Sequence, residues 1–168
     1  MIFWLLFGVA AIFAAVALFG APYVPTHRVS VERALDLLKL KKGDLIVDFG
    51  SGDGVLLKAA AKRGVKSIGY EINPILVVIT LLRCWRDRHM IQVRLADFWR
   101  ANLPAGSKAV FVFLAGPYMK RLAIKLKEVM DDRQTPLYVI SYGFEIPGLK
   151  QEKFEQGLHL YKLVPAKR

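Results

Sequence analysis

The apolar run Leu45-Ile46-Val47 leads into Asp48-Phe49-Gly50-Ser51-Gly52-Asp53-Gly54, and an Ala-rich stretch over 55–63 leads away from it. A short, continuously apolar run reads as a strand buried on both faces. Gly64 sits where a glycine closes a helix. A strand, a glycine turn and a helix in that order open a βαβ unit and provide the context that a nucleotide-binding loop requires. Three glycines in five positions let the backbone approach a ligand without Cβ clashes.

The same pattern continues downstream. Residues 65–70 form a second strand closed by Glu71, and Pro74 opens a helix to about residue 86, proline being favoured at the first helical position. Residues 90–95 read as a third strand closed by Asp97, 109–114 as a fourth, 117–130 as a helix and 137–141 as a fifth strand. The segments 149–155 and 158–164 add two strands joined around Gly157, and a helix over 29–40 precedes the first strand. Strands alternating with helices predict a doubly wound α/β sheet.

The spacing in the loop is G-x-G-x-G, with Val55 where a dinucleotide-type loop would have its third glycine one position later. A dinucleotide loop holds a pyrophosphate at its helix N-terminus. Asp48 and Asp53 would repel a phosphate there and suit a ligand that carries a cation. S-adenosylmethionine has an ammonium and a sulfonium and no phosphate. Glu71, at the end of the second strand, is placed to accept hydrogen bonds from two ribose hydroxyls. Asp97, at the end of the third, is placed to accept from an adenine amine, with Phe98 beside it to pack on the ring. In a doubly wound sheet these strand ends converge on one crevice at the switch point. Each acid alone reads equally as a solvated loop residue; the ordered set is what carries the signal.

Residues 1–26 contain no Asp, Glu, Lys or Arg, and residues 2–21 are almost entirely apolar. That is the length a helix needs to cross a bilayer core. Trp4 and Tyr23 lie near its ends, where interfacial aromatics are favoured. The expectation is a transmembrane anchor over 1–21, a linker and helix over 22–43, and one domain over 44–168. The rival reading, a cleaved signal peptide, lacks a basic n-region. Arg28, Arg33, Lys39, Lys41 and Lys42 follow the segment and none precedes it, which places the domain on the cytoplasmic or matrix-equivalent side. The net charge of +11 predicts attraction to something anionic, with lipid headgroups as one candidate. The helix opened by Pro74 is unusually apolar and ends in Arg83-Cys84-Trp85-Arg86-Asp87-Arg88. It reads either as a membrane-surface patch or, slightly favoured, as a sheet-covering helix with a solvated basic end. Cys84 is the sole cysteine, and His27, His89 and His159 show no metal-ligand spacing, so no metal site is expected.

The segments Tyr23-Val24-Pro25-Thr26, Asp48 to Gly54, Gly69-Tyr70-Glu71-Ile72-Asn73-Pro74 and Asp97-Phe98-Trp99 together resemble a class I S-adenosylmethionine-dependent methyltransferase. More narrowly they resemble the membrane-anchored family that includes the mitochondrial lysine methyltransferase of the ATP synthase c subunit and its prokaryotic relatives. The resemblance implies a Rossmann-like sheet of six to seven mostly parallel strands with an antiparallel C-terminal hairpin, preceded by one transmembrane helix. It implies that Asp48, Gly50 and Gly52, with Asp53 at the same loop, hold the methionine end of the cofactor. Glu71 would bind ribose, Asp97 and Phe98 adenine, and Pro25 and Thr26 would close over the methionine part. Val55 departs from the Arg that relatives commonly carry there.

The acceptor side is thinner. Where many relatives that methylate planar amino groups have an Asn- or Asp-Pro-Pro-Tyr loop, this chain reads Ala115-Gly116-Pro117-Tyr118. The missing polar residue counts against a base or glutamine acceptor and leaves lysine open, with Tyr118 as the candidate acceptor contact. The expected activity is lysine methylation of a membrane or membrane-associated protein. Two alternatives stand beside it: a lipid or small-molecule acceptor, and a non-catalytic basic protein that binds the cofactor or RNA. No specific nucleic acid partner is expected.

Overall fold

The computed structural model describes residues 2–4, 6–8, 24–131 and 133–165. Helix α1 (Arg28–Leu38) buries Val31, Ala34, Leu35 and Leu38, one stripe at helical spacing, and stops where Lys39 turns left-handed at φ 49°. Then come β1 (Leu45–Phe49), α2 (Val55–Lys62), β2 (Lys66–Glu71), α3 (Pro74–Arg83), β3 (Ile91–Leu95) and β4 (Ser107–Val112). A 3-10 turn over Gly116–Tyr118 leads into α4 (Met119–Asp131), followed by β5 (Leu137–Tyr142), β6 (Gln151–Glu155) and β7 (Leu158–Leu163).

The seven strands form one sheet in the order β3-β2-β1-β4-β5-β7-β6. The first five pair in parallel, and β7 runs antiparallel to both β5 and β6. This is the mostly parallel sheet with a C-terminal hairpin that the sequence predicts. The strand order reverses between β1 and β4, so the crevice at their C-terminal ends is the switch point.

Both faces of the sheet are covered. On one, α1 and α2 pack Val31, Leu35, Leu56 and Ala60 over Ile46, Phe111 and Ile140. On the other, Met119, Leu122 and Leu126 of α4 pack over Val47, Val110 and Val139. Helix α3 lies beside α2, with Lys58 Nζ donating to the Arg83 carbonyl at 3.0 Å. It ends three residues short of the expected position: Cys84 caps it, buried, and a 3-10 turn over Trp85–Asp87 follows. Among the described residues no helix is long and apolar enough to cross a membrane. Residues 2–4 and 6–8 are helical, and the remainder of the expected anchor lies outside the described residues.

Gly69, in the middle of β2, shows how closely the glycine loop sits on the sheet. A Cβ there would lie 2.5 Å from Ser51 Oγ and 2.8 Å from Leu57 Cδ1. Overpacking of this kind costs about 1–3 kcal/mol. Gly69→Ala should lower stability by that amount in urea unfolding of the whole chain; an unchanged midpoint would show that the loop yields freely.

Candidate functional site

The loop after β1 is built onto the end of β2. The Gly50 and Ser51 amides both donate to the Tyr70 carbonyl, at 3.0 and 2.9 Å. The Gly52 amide donates to Glu71 Oε2 at 2.8 Å, while Glu71 Oε1 accepts from the Asn73 amide, also at 2.8 Å. Asn73 in turn caps α3, its Oδ1 accepting from the Ile75 amide at 3.0 Å, with Pro74 at the first helical position. Thr80, fully buried in α3, donates from Oγ1 to the Gly52 carbonyl at 2.9 Å. Gly54, at φ 78°, starts α2, and a Cβ on it would lie 2.6 Å from Thr80 Cγ2. Backbone conformation and the neighbouring helix therefore both demand glycine at that position.

The carboxylates crowd this loop. Asp48 is 4% exposed, and burial, with Glu71 and then Asp53 adding like charge, pushes its carboxyl up to about 8. Glu71 is 7% exposed. The sequence places it at the end of a strand; the structure buries it there and gives each of its oxygens a backbone donor. Asp53 is expected to face the ligand's cation, but its Oδ2 pairs with Arg83 at 2.5 Å, which ties the loop to the end of α3.

The remaining predicted residues are placed as follows. Asp97 accepts from the Trp99 amide through Oδ1 at 2.9 Å, closing a turn after β3. Phe98 stacks on Phe49, with centroids 4.9 Å apart and planes at 12°, and it touches Trp99 at 4.4 Å. One face of the Phe98 ring is thus taken by the core. Trp99 lies 6.5 Å from Tyr118, and the Arg121 guanidinium sits 4.3 Å over its ring. A row of aromatics therefore runs from β1 to the acceptor-side turn. Pro25 is exposed and Thr26 half-buried, in an extended segment just before α1. Arg28 and Val55 line one groove, which brings that segment to the flank of the glycine loop.

Several features fit a ligand here. Nothing lies within 4 Å of a Cβ built on Gly50, so the space above the loop is open. Among the described residues, Ser51 Oγ and Asn73 Nδ2 are buried side-chain atoms without a hydrogen-bond partner. An orphaned polar group costs about 1–3 kcal/mol, which a ligand's polar atoms would relieve. A carboxyl held neutral by burial gains most from a neighbouring cation. Ser51, Asn73 and Thr80 were not singled out from sequence. Asn73 was legible as an N-cap before proline, and Thr80 as the one polar residue inside an apolar helix.

Sheet order, switch-point loop and acidic crevice together define a Rossmann-like methyltransferase. Residues 48–153 match the model of the ANTKMT methyltransferase domain, and the chain belongs to that family. It is 36% identical over 146 residues to the ATP synthase c-subunit lysine N-methyltransferase of Xenopus laevis, covering 84% of this chain and 62% of that protein. It is 38% identical over 109 residues to the adenine nucleotide translocase lysine N-methyltransferase of Mus musculus, covering 63% of this chain and 47% of the other. The chain thus spans about half to three fifths of the length of these relatives. An RNA methyltransferase from Salinibacter ruber, solved with S-adenosyl-L-homocysteine, superposes with a TM-score of 0.72 at 24% identity, over 86% of this chain and 96% of that one. That likeness speaks to the fold.

Two measurements check the site. Hydrogen bonds to a charged acceptor are worth about 1.5–3 kcal/mol, so Glu71→Ala should lower stability by at least that much before any ligand is added. A fully native melting temperature would show that the two amides do not depend on the carboxylate. For Asp48, the raised pKa means that the folded chain binds the proton more tightly than the unfolded one does. Its contribution to stability is fully present below about pH 4 and is lost as pH rises through about 8. Asp48→Asn should flatten the decline between those limits in a pH series of urea midpoints.

Proposed function

We propose that this chain is an S-adenosylmethionine-dependent protein-lysine methyltransferase acting on a membrane protein. The observation that carries the reading is the cradle itself: open space over Gly50, a buried Asp48, and orphaned Ser51 and Asn73 beside Glu71. These residues would hold the cofactor's amino-acid and ribose portions, Asp48 and Ser51 facing the former and Glu71 and Asn73 the latter. When bound, the cofactor supplies an electrophilic methyl group on sulfonium.

The chain's own residues have little acid–base work to do. Transfer needs an in-line nucleophile, so positioning supplies much of the rate. A lysine acceptor must arrive without its proton, from an ordinary pKa near about 10.4. The aromatic surface of Trp99 and Tyr118 would desolvate the amine and favour its neutral form. The turn Ala115-Gly116-Pro117-Tyr118 offers no side-chain amide or carboxylate to grip a planar base.

The choice of a membrane target has two supports. The relatives are named for the ATP synthase c subunit and the adenine nucleotide translocase, both membrane proteins. Residues 2–21 have the length and apolarity of a spanning helix, and Ile2, Phe3, Trp4, Leu6 and Phe7 are all more than 60% exposed. In this reading the anchor holds the domain on the cytoplasmic or matrix-equivalent face and raises the local concentration of membrane substrates.

The deciding experiment incubates the whole chain with membranes and methyl-labelled S-adenosylmethionine. Label should appear on lysine in a membrane protein; label confined to the lipid extract would overturn the lysine reading. The chain should stay with the membrane through high salt and carbonate, and extraction by salt alone would remove the anchor. Tyr118→Phe should leave cofactor affinity unchanged and alter turnover alone. Binding of the cationic cofactor at pH 7 should release up to about one proton, since a cation beside Asp48 lowers its pKa. Calorimetry in buffers of different ionisation heat reads this release, and Asp48→Asn should abolish it.

A further inference from the structure

Helix α3 is apolar on its outer face as well as its inner one. Its buried face consists of Leu76, Val77 and Thr80, with Cys84 just beyond its end, while its outer face presents Val78 at 54% exposure, Leu81 at 52% and Leu82 at 72%. Trp85 continues that face at 64%. The one polar side chain before Arg83, Thr80, points inward to the glycine loop. A helix that covers a sheet and faces water carries polar residues on its outer face; this one carries none.

The surroundings of the patch are cationic. Arg83, Arg86 and Arg88 lie at its C-terminal end, with the Arg88 guanidinium 4.5 Å over the Trp85 ring. Arg83, paired with Asp53, also lines a groove with Arg28, Lys58 and Lys62, where Glu32 is the one acid among the described residues. Arg28 opens α1, with residues 22–27 between it and the apolar N-terminal segment. The chain therefore enters the domain at the groove that ends on α3.

We propose that the outer face of α3 docks into the surface of an anionic bilayer. Val78, Leu81, Leu82 and Trp85 would enter the headgroup–acyl boundary, and Arg86, Arg88, Lys58 and Lys62 would meet lipid phosphates. Apolar residues on one face with Trp and flanking arginines suit this interface. Docking deepens the membrane-target reading above: α3 carries Thr80 and follows Asn73, so the helix lying on lipid is the one that holds the cofactor loop. The mouth of the site is thereby fixed at the depth where a membrane protein presents its juxtamembrane lysines.

The test uses the whole chain in vesicles of phosphatidylcholine with and without phosphatidylglycerol. A nitroxide is placed at Leu82→Cys, or at Lys153→Cys on the far edge of the sheet, in a Cys84→Ala background. With phosphatidylglycerol, the Leu82 label should gain collisions with oxygen and lose them with an aqueous nickel chelate, while the Lys153 label stays aqueous. Arg86→Gln with Arg88→Gln should lower the docking constant by about thirtyfold, at about fivefold for each basic side chain near an anionic surface. A Leu82 label that stays aqueous in both vesicles would overturn docking. So would spin–spin broadening that grows with protein density, which marks a second copy on the face. A label shielded from both reagents regardless of lipid would show that the chain's own N-terminal segment covers the face, and would also overturn docking. Methyl transfer to membrane lysines with an aqueous Leu82 label would leave the proposed function standing; a docked label without transfer would do the reverse.

Discussion

One carboxylate joins two parts of the site that lie apart in sequence. Glu71 accepts from Gly52 on the loop after β1 and from Asn73 on the turn that starts α3. Neither amide has a partner within a helix or strand, so the loop and the turn would otherwise each bury an unsatisfied donor. The bridge sets the distance between Gly52 and Asn73, and with it the alignment of Thr80 under the Gly52 carbonyl. The apparent simplicity of the glycine motif depends on an acid 19 residues further along the chain.

The same arrangement makes the site electrostatically unbalanced. Asp48, Asp53 and Glu71 lie close enough that the other two raise the cost of charging Asp48. Arg83 answers only Asp53. Glu71 is answered by backbone dipoles, which suit the anion but carry no full charge. What remains is a loop that would favour a cation over a phosphate. This physical content distinguishes the loop from one that cradles phosphate, where helix N-terminus and basic side chains dominate.

Much of this was legible in the sequence, because strand–glycine–helix order and acids at strand ends have few structural solutions. The parallel sheet, its C-terminal hairpin and the meeting of Asp48 with Glu71 follow from local pattern and the switch-point rule. What was hidden depends on partners distant in sequence. Nothing local shows that Asp53 takes Arg83, 30 residues away, or that Phe98 gives a face to Phe49. The end of α3 was overestimated because the apolar run continues past residue 83, while the backbone tightens into a 3-10 turn at the basic end. Periodicity also failed to show which face of α3 is buried, since a helix apolar all round has no preferred side until a polar anchor such as Thr80 finds its partner.

The position of β7 bears on how the chain reaches this state. It is the last strand in sequence, yet it lies between β5 and β6, with Leu158 and Tyr161 fully buried. Leu158 and Leu160 share a core with Val31 and Leu35 of α1, and the Tyr161 hydroxyl accepts from the Ile146 amide at 2.8 Å. Contacts of such sequence separation form late, because loop closure precedes any gain from them. The stripe of α1 is covered from two directions, by Leu56 and Ala60 of α2 nearby in sequence and by Leu158 and Leu160 of β7 far along it. The sheet therefore closes last at β7, a strand that takes its place between two earlier ones.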